Sequence, residues 1–317
     1  MQGVFLDSES LDRDDIDFEN LRSTLQEWKF HAQTQPEETI ERVKEAEIVV
    51  SNKVVLDRVA LQEARSLKLV CVAATGTNNV DLVAAKELGI SVCNVVHYAT
   101  PSVVQHVFSL ITALNTKLLS YHEAIRAGSW NKSDQFCLLD FPIRELDGLT
   151  MGIIGYGELG KAVSRAAECF GMRVLISQRP GAEATKGRVP LSELLPRVDI
   201  LSLHCPLTDN TRNLIGSKEL ASMKNTALLI NTARGGIVDE EALATALSAG
   251  NIGGAGIDTL TQEPPIEGNV LLNPDLPNLI VTPHIAWASR SARQRLVDGV
   301  TANIHAFLAS KPINLVT

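Results

Sequence analysis

Between a predicted strand and a predicted helix the chain carries Gly155-Tyr156-Gly157-Glu158-Leu159-Gly160. No other feature constrains the fold as much. A G-x-G-x-x-G spacing is weak alone and informative only in context. Here the apolar run Met151-Gly152-Ile153-Ile154 leads in, and a helical pattern from Leu159 to Phe170 leads out. Gly155 permits the tight turn, Gly157 lets the backbone approach a pyrophosphate, and Gly160 lets the helix pack close to the sheet. The helix start then offers unpaired N–H groups and a positive dipole end to phosphates.

The rest of the chain keeps the same rhythm. Strand-like runs occur at Val4 to Leu6, Ile48 to Val50, Leu69 to Ala73 and Ser91 to Val95, with helix-like stretches at Pro36 to Ala46, Val55 to Ala64 and Val80 to Leu88. Gly89 stops the last of these. A long helical pattern runs from Pro101 to about Ala127, with Thr100 as its N-cap and Gly128 as its end. The loop Ser129 to Gly148 follows, carrying Trp130, Phe136, Phe141 and Pro142; its length marks a functional or interface segment. Six further runs start at Thr150, Val174, Ile200, Ala227, Gly256 and Leu279, which is the strand count of a doubly wound dinucleotide fold. The helical pattern Ser289 to Leu308 closes the chain. Alternating strands and helices imply parallel sheets covered by helices, and 317 residues suit about two domains.

Composition narrows the partners. With 29 Lys+Arg against 37 Asp+Glu the net charge is −8, which repels phosphate backbones, and only 4% aromatic residues leave few stacking platforms. Nucleic acid is therefore excluded as a general partner. No run reaches the ~18 apolar residues of a membrane helix, and the N-terminus lacks a signal-peptide pattern. The five cysteines, Cys71, Cys93, Cys137, Cys169 and Cys205, form no C-x-x-C. A reduced, cytoplasmic protein without a metal site is expected.

In dinucleotide-binding folds an acid about 20 residues beyond the glycines grips the ribose 2′-hydroxyl. The strand Arg173 to Ser177 is followed instead by Gln178-Arg179. Gln178 does not repel a 2′-phosphate and Arg179 can pair with one, so NADP is acceptable here as well as NAD. Three other segments follow strands on the same edge: Asn231 to Gly236 with Arg234, Gly256 to Pro265 with Glu263, and Thr282-Pro283-His284. A guanidinium clamps a carboxylate and polarises the neighbouring carbonyl. A histidine with a carboxylate beside it hands a proton to a developing alkoxide. With reduced nicotinamide, this is carbonyl reduction by hydride transfer.

These residues make the chain similar to the NAD(P)-dependent D-isomer-specific 2-hydroxyacid dehydrogenases. The matching segments are Gly152 to Gly160, His204 to Thr208, Met223 to Glu240, Gly254 to Pro265 and Thr282 to Ala288, within residues 69 to 300. Asn94 to His106, Trp130 to Phe141 and His284 to Ala288 resemble the glycerate dehydrogenase and hydroxypyruvate reductase branch. Two departures stand out: Gln178 where many members carry an acid, and Trp287 where a small residue is common.

The resemblance implies an α/β protein of two Rossmann-like or flavodoxin-like parallel-sheet domains with a cleft between them. Residues 1–98 and 287–317 would form the substrate domain, and 99–286 the NAD(P)-binding domain inserted in it. Arg234, Glu263 and His284 would be catalytic. Thr75, Gly76, Thr77 and Arg234 would meet the substrate, Thr75 to Thr77 through backbone N–H groups on its carboxylate; Trp287, where the chain departs from the family, would either shape the substrate pocket or pack the domain hinge. Thr100, Gly155, Gly157, Glu158, Leu159, Gly160, Gln178, Arg179, Cys205, Pro206, Thr211, Thr232 and Ala233 would meet the cofactor, and Asp258 its carboxamide. The implied activity is reduction of a small 2-keto acid, hydroxypyruvate or glyoxylate, to the D-2-hydroxy acid, and the reverse with D-glycerate, by a homodimer joined through the cofactor domain. Two alternatives stand beside it: a different D-2-hydroxy acid, or a nucleotide-sensing, corepressor-like interaction protein. A phosphorylated acid would want basic residues in Thr75 to Asp81, where there are none.

Overall fold

The computed structural model describes residues 1–179 and 185–317. They divide into two compact units, Met1–Ala99 with Trp287–Thr317, and Thr100–Ala286.

The first unit is built on five parallel strands: β1 (Gln2–Phe5), β2 (Glu27–Phe30), β3 (Ile48–Ser51), β4 (Leu69–Val72) and β5 (Ser91–Cys93). Their order is β2-β1-β3-β4-β5. Strands β3 and β4 are buried on both faces, which is why they read as unbroken apolar runs. Strand β2, Glu-Trp-Lys-Phe, lies at the edge and alternates exposed with half-buried residues, so it lacks the apolar run that marks the others. The helix Arg290–Leu308 packs Leu296, Val297, Val300 and Ile304 into the same core as Phe5, Ile48, Val50, Leu69, Cys71 and Cys93. Gly299 on that helix lies so close to Val95 that a Cβ would meet its Cγ1 at 2.5 Å. Arg293 secures the helix start with two hydrogen bonds of 2.7 Å to the Asp15 carboxylate and one of 2.8 Å to the Leu11 carbonyl.

The second unit has six parallel strands: β6 (Thr150–Ile154), β7 (Arg173–Ile176), β8 (Ile200–Leu203), β9 (Leu228–Asn231), β10 (Gly254–Ile257) and β11 (Leu279–Val281). Their order is β11-β10-β9-β8-β6-β7, so the direction of winding reverses between β6 and β8. The usual dinucleotide order, 3-2-1-4-5-6, has one more strand beyond β7. That place is taken by a single parallel bridge, Val189 to Ser177. The strand count therefore agrees with the sequence expectation, while the third strand of the usual order is reduced to one residue.

The long helix expected over Pro101 to Ala127 is two helices, Thr100–Asn115 and Leu118–Arg126. Lys117 breaks it with a left-handed φ of 55°. Thr112 and Thr116 turn their hydroxyls back onto the carbonyls of Phe108 and Thr112. The Asn115 amide is captured by the Arg144 carbonyl, while the Arg144 N–H donates to the Asn115 carbonyl at 3.2 Å. This local competition with the helix ladder ends the first helix early. Thr100 is the first residue of that helix rather than its N-cap, and its hydroxyl donates to the Glu158 carboxylate.

Candidate active site

The glycine loop leaves β6 and meets the segment leaving β8 where the winding reverses, the usual ligand edge of such a sheet. Gly155 has φ 91°, and a Cβ on it would lie 2.5 Å from the carbonyl of His204 and the N–H of Cys205. At Gly160 a Cβ would lie 2.1 Å from the Gly155 carbonyl, so only glycine lets the helix Glu158–Cys169 sit this close. Gly157, by contrast, faces open space. It is the N-cap of that helix and supplies no side-chain cap, and a helix N-terminus of this kind favours an anion.

Past the C-terminal ends of β9, β10 and β8 on the same edge of the sheet, the Thr232 hydroxyl, the Thr259 hydroxyl and the Nδ1 of His204 are buried polar atoms with no protein partner. Such atoms want a ligand. These features fit a dinucleotide. Burial pushes the Cys205 thiol up to about 11, so it lines this region as an apolar group rather than a nucleophile. Burial pushes the His204 ring down to about 4. Its Nε2 lies 2.9 Å from the Ser202 hydroxyl.

Arg234 is exposed just past β9, in a turn tied by the Asn231 amide donating to the Arg234 carbonyl at 2.9 Å. Its neighbour Gly235 is pressed against the loop after β10: a Cβ there would lie 1.9 Å from the Leu260 carbonyl oxygen. The Leu260 N–H in turn donates to Glu263 Oε1 at 2.9 Å, and Glu263 Oε2 lies 2.7 Å from His284 Nδ1. The three expected catalytic residues thus share one chain of contacts. Each oxygen of Glu263 has a separate task, one holding the loop and the other fixing the imidazole.

Beneath them Asp258 is 1% exposed. Its carboxylate accepts from the Thr282 hydroxyl at 2.5 Å and from the N–H groups of Ile285 and Ala286 at 2.9 Å each. His106 Nε2 lies 2.9 Å from the Thr282 oxygen and 3.5 Å from Asp258. Neither Thr282 nor His106 is marked by a motif; the local mark of Thr282 is its hydroxyl two residues before a candidate catalytic histidine.

The remaining expected positions spread over both units. Thr211 hydroxyl closes its own loop, donating to the Pro206 carbonyl at 2.7 Å and accepting from the Thr208 N–H at 2.7 Å. Leu159 is half-buried in the first turn after Gly157, and Ala233 is buried. Gln178 is half-buried and Arg179 exposed at the end of β7. In the first unit, Thr75, Gly76 and Thr77 follow β4, and the Thr75 hydroxyl donates to the Val95 carbonyl at 2.9 Å. Trp287 packs against that unit's core, edge to face with Tyr98 at 6.4 Å. Among the described residues no group of three His, Cys, Asp or Glu side chains is placed to hold a metal ion. No helix among them is long and apolar enough to cross a membrane.

Residues 108–286, more than half of the chain, match the family described as D-isomer specific 2-hydroxyacid dehydrogenase, NAD binding domain. A glycerate dehydrogenase of Methylorubrum extorquens is 49% identical over 314 residues, covering 99% of this chain and 98% of the relative. A hydroxypyruvate reductase of Blautia hydrogenotrophica is 36% identical, covering 100% and 99%. Among solved structures, the TT0316 protein from Thermus thermophilus is similar with a TM-score of 0.87 and 32% identity, covering 100% of both chains.

Proposed function

The chain belongs to the D-isomer specific 2-hydroxyacid dehydrogenase family, and we propose that it reduces hydroxypyruvate and glyoxylate to the D-2-hydroxy acid and oxidises D-glycerate in reverse. The observation that carries this reading is the Glu263–His284 pair, closed at 2.7 Å and joined through Leu260 to the Arg234 turn. A histidine anchored at Nδ1 by a carboxylate is oriented to exchange a proton at Nε2.

Arg234 binds the substrate carboxylate and polarises the adjacent carbonyl. His284 donates its Nε2 proton to the carbonyl oxygen as C2 is reduced, and takes it back in the oxidation. Bound NAD(P)H supplies the hydride that C2 receives. Gly155, Gly157, Glu158, Leu159 and Gly160 hold the pyrophosphate side of the cofactor, with Thr100, Cys205, Pro206, Thr211, Thr232 and Ala233 around it and Asp258 toward the carboxamide. Gln178 and Arg179 accept the 2′-phosphate of NADP. In the first unit, Thr75, Gly76 and Thr77 serve the substrate carboxylate, and Trp287 the substrate side chain. Names of relatives support the substrate class: one is a glycerate dehydrogenase and another a hydroxypyruvate reductase.

The enzyme works in the cytoplasm as a homodimer. Supporting the dimer, the helix Leu118–Arg126 buries none of its residues. Phe136 and Leu139 in the following loop are 89% and 83% exposed. That loop is organised, since the Tyr121 hydroxyl donates to the Phe141 carbonyl at 2.7 Å and the Trp130 indole donates to the Phe136 carbonyl at 3.1 Å. An ordered apolar patch of this kind marks a protein interface.

The test is loss of reduced-nicotinamide absorbance with hydroxypyruvate and glyoxylate, set against branched and phosphorylated 2-keto acids. Fastest turnover of the first two supports the reading. Turnover of only the branched or phosphorylated acids, or of none while the cofactor still binds, overturns it.

A further inference from the structure

Two arginines attend the end of β7, and only one is its neighbour in sequence. Arg179 follows Gln178 directly and is exposed. Arg188 arrives by tertiary pairing: the Gln178 N–H donates to the Val189 carbonyl at 2.8 Å and the Val189 N–H to the Ile176 carbonyl at 2.9 Å. These bonds set Arg188 alongside the strand end. Its Nη1 donates to the Ser177 carbonyl at 3.2 Å, and its guanidinium carbon lies 5.5 Å from the centre of the Tyr156 ring. Tyr156 is the residue between the first two glycines of the loop. The half-buried guanidinium therefore reaches from the end of β7 toward the glycine loop.

In this fold the glycine loop takes the pyrophosphate, and the strand end next to it faces the adenosine 2′ position, where an arginine accommodates a phosphate. None of Ser177, Gln178 and Arg179 carries a carboxylate to oppose one. An exposed arginine such as Arg179 must give up side-chain freedom to bind. Arg188 is already oriented by a main-chain bond and an aromatic face, and a guanidinium has five N–H donors, of which Ser177 takes one.

We propose that Arg188, oriented by Ser177 and Tyr156, is the second cation of an adenosine 2′-phosphate site and the residue by which this chain favours NADPH over NADH. The proposal rests on the NAD(P)-dependent reading above and deepens it.

Calorimetric binding of adenosine 2′,5′-bisphosphate against 5′-AMP tests it without nicotinamide or turnover. The wild-type protein should bind the bisphosphate about tenfold to a hundredfold more tightly. Arg188→Ala should abolish most of that preference and leave 5′-AMP affinity unchanged, with Arg188→Lys recovering part of it. Equal affinities in the wild type overturn the proposal, even if no variant folds. So does an Arg188→Ala protein that keeps the preference, or that loses both ligands equally. A wild-type protein that prefers the bisphosphate but reduces no 2-keto acid would sink the activity proposed above and leave this site standing. One that turns over with NADH yet binds both ligands equally would sink this site alone.

Discussion

The main-chain N–H of His284 donates to the carbonyl of Asp258 at 2.8 Å. The two residues are tied at backbone level while the Asp258 carboxylate caps the turn just beyond, at Ile285 and Ala286. His284 itself holds a φ of 54°, a left-handed conformation unusual for a residue with a Cβ. Such a conformation persists only where its surroundings over-determine it. Asp258 supplies that over-determination. Asp258→Ala leaves the Ile285 and Ala286 N–H groups and the Thr282 hydroxyl without their acceptor, and should cost about 3 kcal/mol of stability. Asp258→Asn keeps part of the acceptor set and should cost less. Denaturant midpoints of the two variants check this, and equal midpoints would show that the carboxylate does not hold the turn.

His284→Ala and Arg234→Ala should each lower kcat about a hundredfold to ten-thousandfold with hydroxypyruvate. Cofactor affinity, read from nicotinamide fluorescence, should stay near the wild-type value, because neither side chain belongs to the glycine loop. Wild-type turnover in either variant would remove that residue from the chemistry.

Gly235→Ala probes the contact between the Arg234 turn and the Glu263 loop. The added methyl would sit 1.9 Å from the Leu260 oxygen, so one of the two segments must move. A stability loss of about 3 kcal/mol is expected, together with a raised KM for the keto acid as Arg234 shifts. A variant with unchanged KM and melting temperature would mean that the two loops are not mechanically coupled.

Acid stability should register the Asp15–Arg293 pair. Two hydrogen bonds from Arg293 hold the Asp15 carboxyl down to about 2, against an ordinary 3.8. A depressed carboxylate stabilises the fold fully above the ordinary value and loses that contribution as pH falls toward the lower one. The difference in melting temperature between wild type and Asp15→Asn should be constant above about pH 5, shrink progressively as pH falls through 3.8 and about 2, and vanish only below the lower value. A difference that grows on acidification would reverse the assignment.

What was legible in the sequence was what is local. Gly155, Gly157 and Gly160 announce their turn through spacing, and Arg234, Glu263 and His284 each follow an apolar run that proves to be a strand. What was hidden depends on partners distant along the chain. Arg188 reaches Ser177 only through the Val189 bridge. The stop at Lys117 comes from Arg144 gripping Asn115, which no helical periodicity can show. Strand β2 escaped because an edge strand does not need an apolar run. The role of Asp258 as the anchor of the Thr282–Ala286 turn comes from three donors that lie 24 to 28 residues away.

The break at Lys117 also governs how one part of the chain should behave in time. Because the helix after it buries no side chain, its amide protons have only its own ladder to shield them. Short helices of nine residues hold that ladder poorly in water. Deuterium should therefore enter Leu118–Arg126 long before it enters Thr100–Asn115, which buries seven residues. If that helix meets a second copy, its uptake should slow as the protein is concentrated, while the buried helix before it keeps a constant rate.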